Sequence, residues 1–466
     1  MATTKAPPDT GGTSGLDRYF EISERGSTVG TEVRAGITTF LAMAYIVFVN
    51  PAILSNAIDF DGAFPQLLTV TALAAAFGTL LMALWAKLPF AMAPGMGLNA
   101  YFTFTVVLGM GIAWETALGA VFISGLLFMV IALTGARRWI LNAIPLHLKY
   151  AITAGIGAFL AIIGFVGAGW IGDNFVTFVQ VGDFTSWLPW LAVAGVVVTG
   201  ALMVNKVKGA ILIGILAITA IVIIFDVDAY NYGGETLESF AGFGGSIIGF
   251  TAPTDLIGAM DLGAALGLGI VSVVFTFLFV DFFDTAGTLI GLTDKAGMLD
   301  EKGHIQAPRA AFAADGAATA VGAALGTSST TTFIESAAGV EEGGRTGLTA
   351  LTVSVLFLAA MFLSPLAQAI PTVATSAALI IIGAMMMTSA TKVDWTDYRK
   401  SIPAFLAIVG MPFTYSITFG ISLAIVTHTF LYAVSGKIKE IHPMMWILAL
   451  LIIANQTGFI ADVFGG

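Results

Sequence analysis

Two carboxylates stand inside a long apolar run. Residues 274–292 have the sequence VFTFLFVDFFDTAGTLIGL, with Asp281 and Asp284 three positions apart in its middle. That spacing puts both side chains on one face of a helix, with Thr288 one turn further along. A charge at the centre of a membrane helix costs about 3 kcal/mol, so such residues face a cavity or a partner and are candidate proton carriers.

A structural role is the alternative for both acids, in which each carboxylate bonds a neighbouring helix terminus or an unwound stretch of backbone. Asp315, in the segment AAFAADGAATA, is a lone acid among small residues, and we expect it to have a structural or packing role. The four histidines are scattered, so the sequence predicts no metal site, and it indicates no cofactor.

The composition indicates whether water or lipid surrounds this apolar segment. The 466 residues are 57% hydrophobic and 10% charged, with a mean hydropathy of +0.93, whereas soluble domains are about 25% charged. Uncharged stretches long enough to cross a hydrocarbon core of ~30 Å recur from Ile37 onward. We therefore predict an all-α polytopic protein embedded in a lipid bilayer. The net charge of −10 gives no indication of a nucleic-acid partner, and the absence of cysteine excludes disulfides.

Fourteen membrane elements, two of them short, are predicted from the hydropathy pattern. They are 35–56, 66–86, 97–109, 113–134, 146–169, 187–205, 209–226, 264–290, 308–324, 333–340, 346–364, 372–390, 400–413 and 417–436. With the N-terminus in the cytoplasm, the basic residues all fall on the inner side and the outer loops carry acids only. The first thirty residues lack the apolar run of a signal peptide, and we expect a largely disordered tail. The apolar stretch 444–454 is short for a span.

Stretches of the two halves of the chain resemble each other in the same order. The pairs are 144–164 with 370–387, 207–222 with 417–434, 40–54 with 275–289, and 97–101 with 333–337. This alignment sets Asn50 opposite Asp284 and Asn99 opposite Glu335. Because seven spans per half is an odd number, the second half enters the membrane upside down, and inverted repeats of this kind are typical of transporters.

Two segments in corresponding positions of the halves cannot be continuous helices. In 88–107, prolines and glycines break any helix before about Leu98, and in 326–339 the run GTSSTTT favours extended backbone. We predict that each forms a short strand leading into a half-helix. Irregular backbone at membrane depth is tolerated where it lines a cavity, so this is the predicted binding site. The predicted backbone contacts are at Gly97, Phe333 and Ser336.

Asn99 and Glu335 lie at the predicted starts of the two half-helices. Each has a structural alternative: Asn99 could satisfy the adjoining strand, and Glu335 could complete a capping box with Thr332. A capping acid at such a helix start can also face a ligand, so the two roles of Glu335 are compatible.

These residues carry a resemblance to a known family. The stretches EVRAGITTFLAMAYIVFVNPAIL, MAPGMGLNAYFTF, VDFFDTAGTLIGL and GTSSTTTFIESAAGVEEGGRTGLTAL resemble the nucleobase–cation symporter-2 family, in its adenine/guanine/hypoxanthine permease branch. The resemblance extends from about Glu32 to Lys439. The spacing of the two aspartates is similar to the purine branch rather than to the uracil or xanthine members.

The resemblance implies a seven-plus-seven inverted repeat with a core domain and a gate domain. The implied division is a cytoplasmic tail (1–31), core parts (32–140 and 263–364), gate parts (141–226 and 365–440), an extracellular loop (227–262) and a C-terminal extension (441–466). It implies substrate binding by Glu335, Asp284, Asn99 and Asp281, with proton coupling by the three acids.

The function that the resemblance implies is proton-coupled uptake of a purine nucleobase across the cell membrane, and dimers occur in the family. Two alternatives from other classes are an anion transporter or channel of the same fold, and a membrane-embedded enzyme. Acids at Asp284 and Glu335 would repel an anion. An aspartyl protease needs acids from two helices, whereas Asp281 and Asp284 share one.

Overall fold

The computed structural model describes residues 15–134, 144–225, 231–232, 235–236, 248–267, 271–298 and 308–457. Parts of the predicted regions lie outside these residues: 1–14 of the tail, 135–143 at the junction of the first core and gate parts, 226–230, 233–234 and 237–247 around the extracellular loop, 268–270 and 299–307 of the second core part, and 458–466 of the C-terminal extension. The basic residues Arg137, Arg138 and Lys302, which contribute to the predicted orientation, are also outside them.

The first half of the chain forms helices, interrupted by one short strand and one two-stranded hairpin. They are α1 (Gly15–Phe20), α2 (Val29–Met43), α3 (Ile46–Leu54), α4 (Ala63–Leu81, continued by a π-helix at Met82–Ala86), β1 (Met92–Pro94), α5 (Met96–Ala100, continued by a π-helix at Tyr101–Gly109), α6 (Trp114–Leu133), α7 (Leu146–Gly167), a hairpin of β2 (Ile171–Asn174) and β3 (Phe178–Val181), α8 (Trp187–Val204) and α9 (Ala210–Ile224).

The second half repeats this plan. After a short strand pair, β4 (Asn231–Tyr232) and β5 (Glu235–Thr236), it forms α10 (Leu262–Ala265), α11 (Val271–Lys295), α12 (Pro308–Leu325), β6 (Thr330–Thr332), a 3₁₀ turn (Ile334–Ser336), α13 (Ala337–Glu341), α14 (Gly347–Ala360), α15 (Ser364–Gln368), α16 (Thr372–Met387), a 3₁₀ turn (Thr388–Lys392), α17 (Tyr398–Thr414), α18 (Ile417–Val434), a 3₁₀ turn (Ile438–Glu440) and α19 (Pro443–Gln456).

Many of the helices are long and apolar enough to span a membrane. Among the described residues, eight helices meet the length and hydropathy of a full span, and four shorter helices are also apolar. The predicted all-α polytopic fold with two interrupted segments is therefore confirmed, and the count of fourteen spans stays a prediction.

The helices pack in two groups. In one group α12 packs on α6 and α4, α14 packs on α2 and α4, and α11 packs on α6; in the other α16 and α17 pack on α7, with α8, α9 and α18 around them. In the second group, Gly157 and Gly383 let the α7 and α16 backbones touch, since a Cβ on Gly383 would lie 2.5 Å from the carbonyl oxygen of Gly157. Small residues at such crossings are typical of helix association in lipid.

The tail is more ordered than expected. Residues 15–31 include α1 and the start of α2, and Phe20 and Ile22 are buried against Leu348. The expectation of disorder is wrong for these residues, because two apolar side chains in a polar segment are enough to anchor it on the end of α14.

Glu32 on α2 holds the start of α14. Its carboxylate is fully buried and accepts hydrogen bonds from the N–H groups of Arg345 (3.0 Å) and Thr346 (3.1 Å) and from the Thr349 hydroxyl (2.5 Å). These donors are at a helix N-terminus, where free N–H groups and the helix dipole favour a negative charge. Glu32 thus ties α2 to α14 within the first group.

Glu32→Gln should destabilise the protein without touching the site described below. Bonds to an ionised acceptor are each worth about 1.5–3 kcal/mol, and glutamine replaces them with weaker neutral ones. We expect a lower melting temperature in detergent. Glu341→Gln, at an acid whose side chain is 65% exposed, serves as the control and should melt like the parent. Equal melting of both variants would contradict this role of Glu32.

Candidate functional site

The two interrupted segments meet as an antiparallel strand pair, as the sequence predicts. Met92 lies opposite Thr332, Ala93 opposite Thr331 and Pro94 opposite Thr330. The N–H of Phe333 donates to the carbonyl of Ala91 (3.0 Å) and the N–H of Gly95 to that of Ser329 (2.9 Å), which extends the pairing at both ends. All six strand residues are buried. The pairing satisfies backbone groups that have no helical partner.

Each strand leads directly into a helical turn. α5 begins at Met96 after the extended Gly95, and the 3₁₀ turn begins at Ile334 after the extended Phe333. The helix starts expected near Leu98 and Thr332 are therefore correct to within two residues. Because β1 and β6 run antiparallel side by side, both helix starts lie around the same strand pair.

Asp284 on α11 and Glu335 on the 3₁₀ turn both lie beside this strand pair, since α11 packs on β6 and the 3₁₀ turn follows β6 directly. Both residues are partly exposed. The Tyr45 hydroxyl donates to Oε1 of Glu335 at 2.5 Å. Charge-assisted bonds of this kind are short and strong, so Tyr45 holds the Glu335 carboxylate in place. The sequence analysis did not single out Tyr45.

Glu335 does not form the alternative capping box. The Thr332 hydroxyl donates to Oδ2 of Asp315 (3.0 Å). The Glu335 carboxylate is engaged by Tyr45, in the turn between α2 and α3. Glu335 as a whole is partly exposed.

Asn99 lies in a buried amide network. Its side-chain N–H donates to Oδ1 of Asn50 at 2.5 Å, and its own oxygen accepts a short bond from Ser328. Asn50 in turn donates to the hydroxyls of Thr71 (2.7 Å) and Thr327 (3.0 Å). The residues that the repeat alignment pairs with Asp284 and Glu335 thus bond one another in the first half.

Asp281 and Asp315 lie on the other side of β6. Oδ2 of Asp281 accepts from the Thr319 hydroxyl at 2.8 Å, and Oδ2 of Asp315 accepts from the N–H and hydroxyl of Thr332. They are 1% and 0% exposed. Asp281 therefore shares a helix with Asp284 but not its surroundings.

The three residues predicted to contact a ligand through their backbone, Gly97, Phe333 and Ser336, have different surroundings. The N–H of Phe333 is committed to the strand pairing, and the N–H of Ser336 donates to the carbonyl of Phe333 at 3.2 Å. The Ser336 hydroxyl accepts from the N–H of Ala91. Gly97 is partly exposed in the first turn of α5, where N–H groups lack helical partners, and a Cβ there would lie 2.5 Å from Ile156 of α7.

An ion pair joins the two helix groups outside the predicted spans. Glu342, after α13, bonds Lys208, between α8 and α9, and its carboxylate lies 3.4 Å from Nε of Arg34. The hydrogen bond from Lys208, with the charges of Lys208 and Arg34, lowers the pKa of Glu342. The pair is therefore fully formed above the ordinary pKa of a glutamate and is lost as the pH falls through the lowered value.

Comparison with known sequences identifies the family. The sequence profile of the Permease family (Xan_ur_permease) matches residues 30–423. The chain belongs to the nucleobase–cation symporter-2 family. It is a permease and not an enzyme, and it is a multi-pass membrane protein.

Two relatives and one solved structure are similar to the permease over most of its length. It is 44% identical to the guanine/hypoxanthine permease PbuO of Bacillus subtilis, covering 93% of this chain and 98% of the relative. It is 40% identical to the adenine permease AdeP of Escherichia coli, covering 95% and 96%. The transmembrane domain of a cyanobacterium bicarbonate transporter, BicA, shares its fold with a TM-score of 0.63 at 13% identity, covering 85% and 97%.

Proposed function

We propose that this permease carries a purine nucleobase into the cell together with a proton, by alternating access of a core domain against a gate domain. The names of its relatives support a purine substrate: AdeP is an adenine permease and PbuO a guanine/hypoxanthine permease. In this proposal the permease needs only its substrate, a proton and the bilayer, with no bound cofactor.

The observation that carries the proposal is the pair of partly exposed carboxylates, Asp284 and Glu335, on two different helices beside the strand pair. A purine presents N–H donors on its edge and acceptor nitrogens in its rings. Glu335, held by Tyr45, accepts two N–H groups of the base. Asp284 faces the base from α11, and the free N–H groups around Gly97 meet ring acceptors.

Asn99 and Asp281 support this site from either side. Asn99 has a second side-chain N–H beyond the one bonded to Asn50, and we propose that it reaches the substrate. Asp281, one turn from Asp284, couples the site to protonation. Protonation removes a charge before the site moves through a medium of low dielectric constant, which lowers the cost of the motion.

The moving parts correspond to the two helix groups. In this proposal the first group is the core, which holds the acids, and the second is the gate, which contacts the core at Gly97 and Ile156. The N-terminus lies in the cytoplasm, the protein in the plasma membrane, and two copies form a dimer. The likeness to BicA concerns the fold alone, and a site with two carboxylates disfavours an anion as substrate.

Binding to the purified permease tests the substrate class. Radiolabelled hypoxanthine, guanine and adenine are each added to protein in detergent, and xanthine and uracil are used as competitors. We expect saturable binding of at least one of the first three, displaced by its unlabelled form and not by uracil. Absence of binding by all three, or displacement by uracil alone, would contradict the proposal.

Discharge of the proton gradient should stop uptake. Because the proton is the proposed source of energy, a protonophore removes the driving force and leaves the substrate site intact. We expect cells expressing the permease to lose concentrative uptake of labelled purine within the time that the gradient takes to collapse. The same cells with their sodium gradient discharged are the control. Persistent accumulation after protonophore treatment would point to a uniporter.

A further inference from the structure

A second pair of carboxylates is sealed behind the strand pair. Asp281 on α11 and Asp315 on α12 are almost completely buried, whereas Asp284 and Glu335 are partly exposed. Asp281 reaches α12 through its hydrogen bond from Thr319, which lies one turn along that helix from Asp315. The permease therefore has two acid pairs, one open to a ligand and one closed.

Each carboxylate of the closed pair has one satisfied and one unsatisfied oxygen. Oδ2 of Asp281 accepts from Thr319, and Oδ2 of Asp315 accepts twice from Thr332. Oδ1 of Asp281 and Oδ1 of Asp315 have no hydrogen-bond partner. Among the ion pairs of the described residues, none includes either acid.

This arrangement requires a cation. An uncompensated buried charge costs several kcal/mol, and two adjacent ones add their mutual repulsion. Two carboxylates at close range resolve this by sharing a proton, which converts two acceptors into a donor and an acceptor. The two unpartnered oxygens are the atoms between which such a proton would lie.

We propose that Asp281 and Asp315 together hold the coupling proton of the transporter, shared between their free Oδ1 atoms. The inference rests on the proposed function, since only a transporter needs a coupling ion, and it adds Asp315, which does not face the substrate. The proton is bound and released, and no covalent bond to carbon forms or breaks. The bonds from Thr332 agree with the structural role expected of Asp315, and the proposal adds a proton-holding role to it.

Two hydroxyls connect the closed pair to the open pair. The Thr285 and Thr331 hydroxyls lie 2.9 Å apart. Thr285 follows Asp284 directly in the chain, and Thr331 precedes Thr332, whose N–H and hydroxyl bond Asp315. A hydroxyl donates and accepts at once, so this row can pass a proton between Asp284, which meets the substrate, and Asp315. Substrate arrival and protonation of the closed pair are then linked through atoms already in place.

The Asp315→Asn variant tests the proposal in proteoliposomes. Asparagine keeps the shape and the bonds to Thr332 but cannot release a proton. We expect the variant to bind labelled purine and to exchange internal for external purine, yet to lose accumulation driven by an imposed pH gradient. Accumulation equal to wild type would overturn the proposal. So would wild-type accumulation that follows a sodium gradient and ignores the pH gradient.

Controls separate this inference from the proposed function and from misfolding. Glu32→Gln removes a buried acid whose bonds are structural, and it should accumulate purine once folded. If the wild-type protein binds no purine, the proposed function fails; if it binds and Asp315→Asn still accumulates, only the present inference fails. If Asp315→Asn does not fold, the Thr285→Val variant tests the inference instead.

Thr285→Val breaks the hydroxyl row, and Thr293→Val is its matched control. Thr293 lies two turns along α11, fully buried, with its hydroxyl bonded to the carbonyl of Leu289 at 2.6 Å. We expect Thr285→Val to lose pH-driven accumulation with purine binding retained, and Thr293→Val to behave as wild type. Equal accumulation by the two threonine variants would overturn the proposal.

Discussion

Glu335→Gln should abolish purine binding and uptake while the permease stays folded. The glutamine side chain has nearly the same shape, but it accepts one bond where the carboxylate accepts two and carries no charge. Each bond to an ionised acceptor is worth about 1.5–3 kcal/mol, so the affinity should fall by about a hundredfold or more. Binding of labelled hypoxanthine or adenine to purified protein measures the loss.

Glu341→Gln is the matched control for this experiment. Glu341 lies six positions further along, with an exposed side chain paired with Lys295 at 2.6 Å, and its replacement should leave binding unchanged. Melting temperature in detergent shows that both variants fold. Near-normal purine binding by Glu335→Gln would remove Glu335 from the site and leave the Tyr45 contact as a structural one.

Gly97→Ala should arrest transport by a steric clash at the contact between the helix groups. The added Cβ would lie 2.5 Å from Cγ2 of Ile156, closer than real Cβ atoms approach, and Ile156 is packed at 3% exposure. Close-packed interiors transmit such strain, so the start of α5 must shift away from α7. We expect the initial rate of labelled purine uptake to fall close to background.

A double variant tests whether the steric clash with Ile156 causes the loss of uptake. Ile156→Ala removes Cγ2, so the double variant Gly97→Ala, Ile156→Ala should recover part of the uptake rate, at reduced stability because a buried isoleucine is truncated. Gly200→Ala is the control, since nothing lies within 4 Å of a Cβ there. Failure of the double variant to recover, with both proteins folded, would show that Gly97 matters for another reason.

The two interrupted segments follow from residue chemistry that is visible in the sequence. Pro89, Pro94 and Gly95 exclude a helix before α5, and the run of hydroxyl and β-branched residues before Phe333 favours a strand. Each signal is local, so each predicts a local structure well. The pairing of the two strands is not local, and it follows only once the inverted repeat is recognised.

The repeat alignment also predicts which polar residues meet. It sets Asn50 opposite Asp284 and Asn99 opposite Glu335, and the structure has Asn50 bonded to Asn99, with Asp284 and Glu335 both beside the strand pair. One half thus places two amides where the other places two acids. The amide pair closes on itself, and the acid pair remains partly exposed.

The roles of Tyr45 and Asp315 could not be predicted from the sequence, because their partners lie on other segments of the chain. Tyr45 is separated from Glu335 by 290 positions, and its only signal is a hydroxyl in an apolar span. Asp315 stands alone on its helix, and helical periodicity relates residues within one helix but not across two. The bond from Thr319 that places Asp281 one turn from Asp315 depends on how α11 and α12 pack, which residue spacing does not encode.

The strand pair also limits how this architecture can have arisen. β1 belongs to the first half of the chain and β6 to the second, so the hydrogen bonds between the strands join the two halves, while Thr79 and Asp315 bond other backbone groups of β1 and β6 within each half. In an ancestor of half the length, the strand edge that pairs here would have had no partner within the same copy. It would have needed a second copy inserted upside down, and the two-fold axis relating such copies produces the antiparallel pairing seen here.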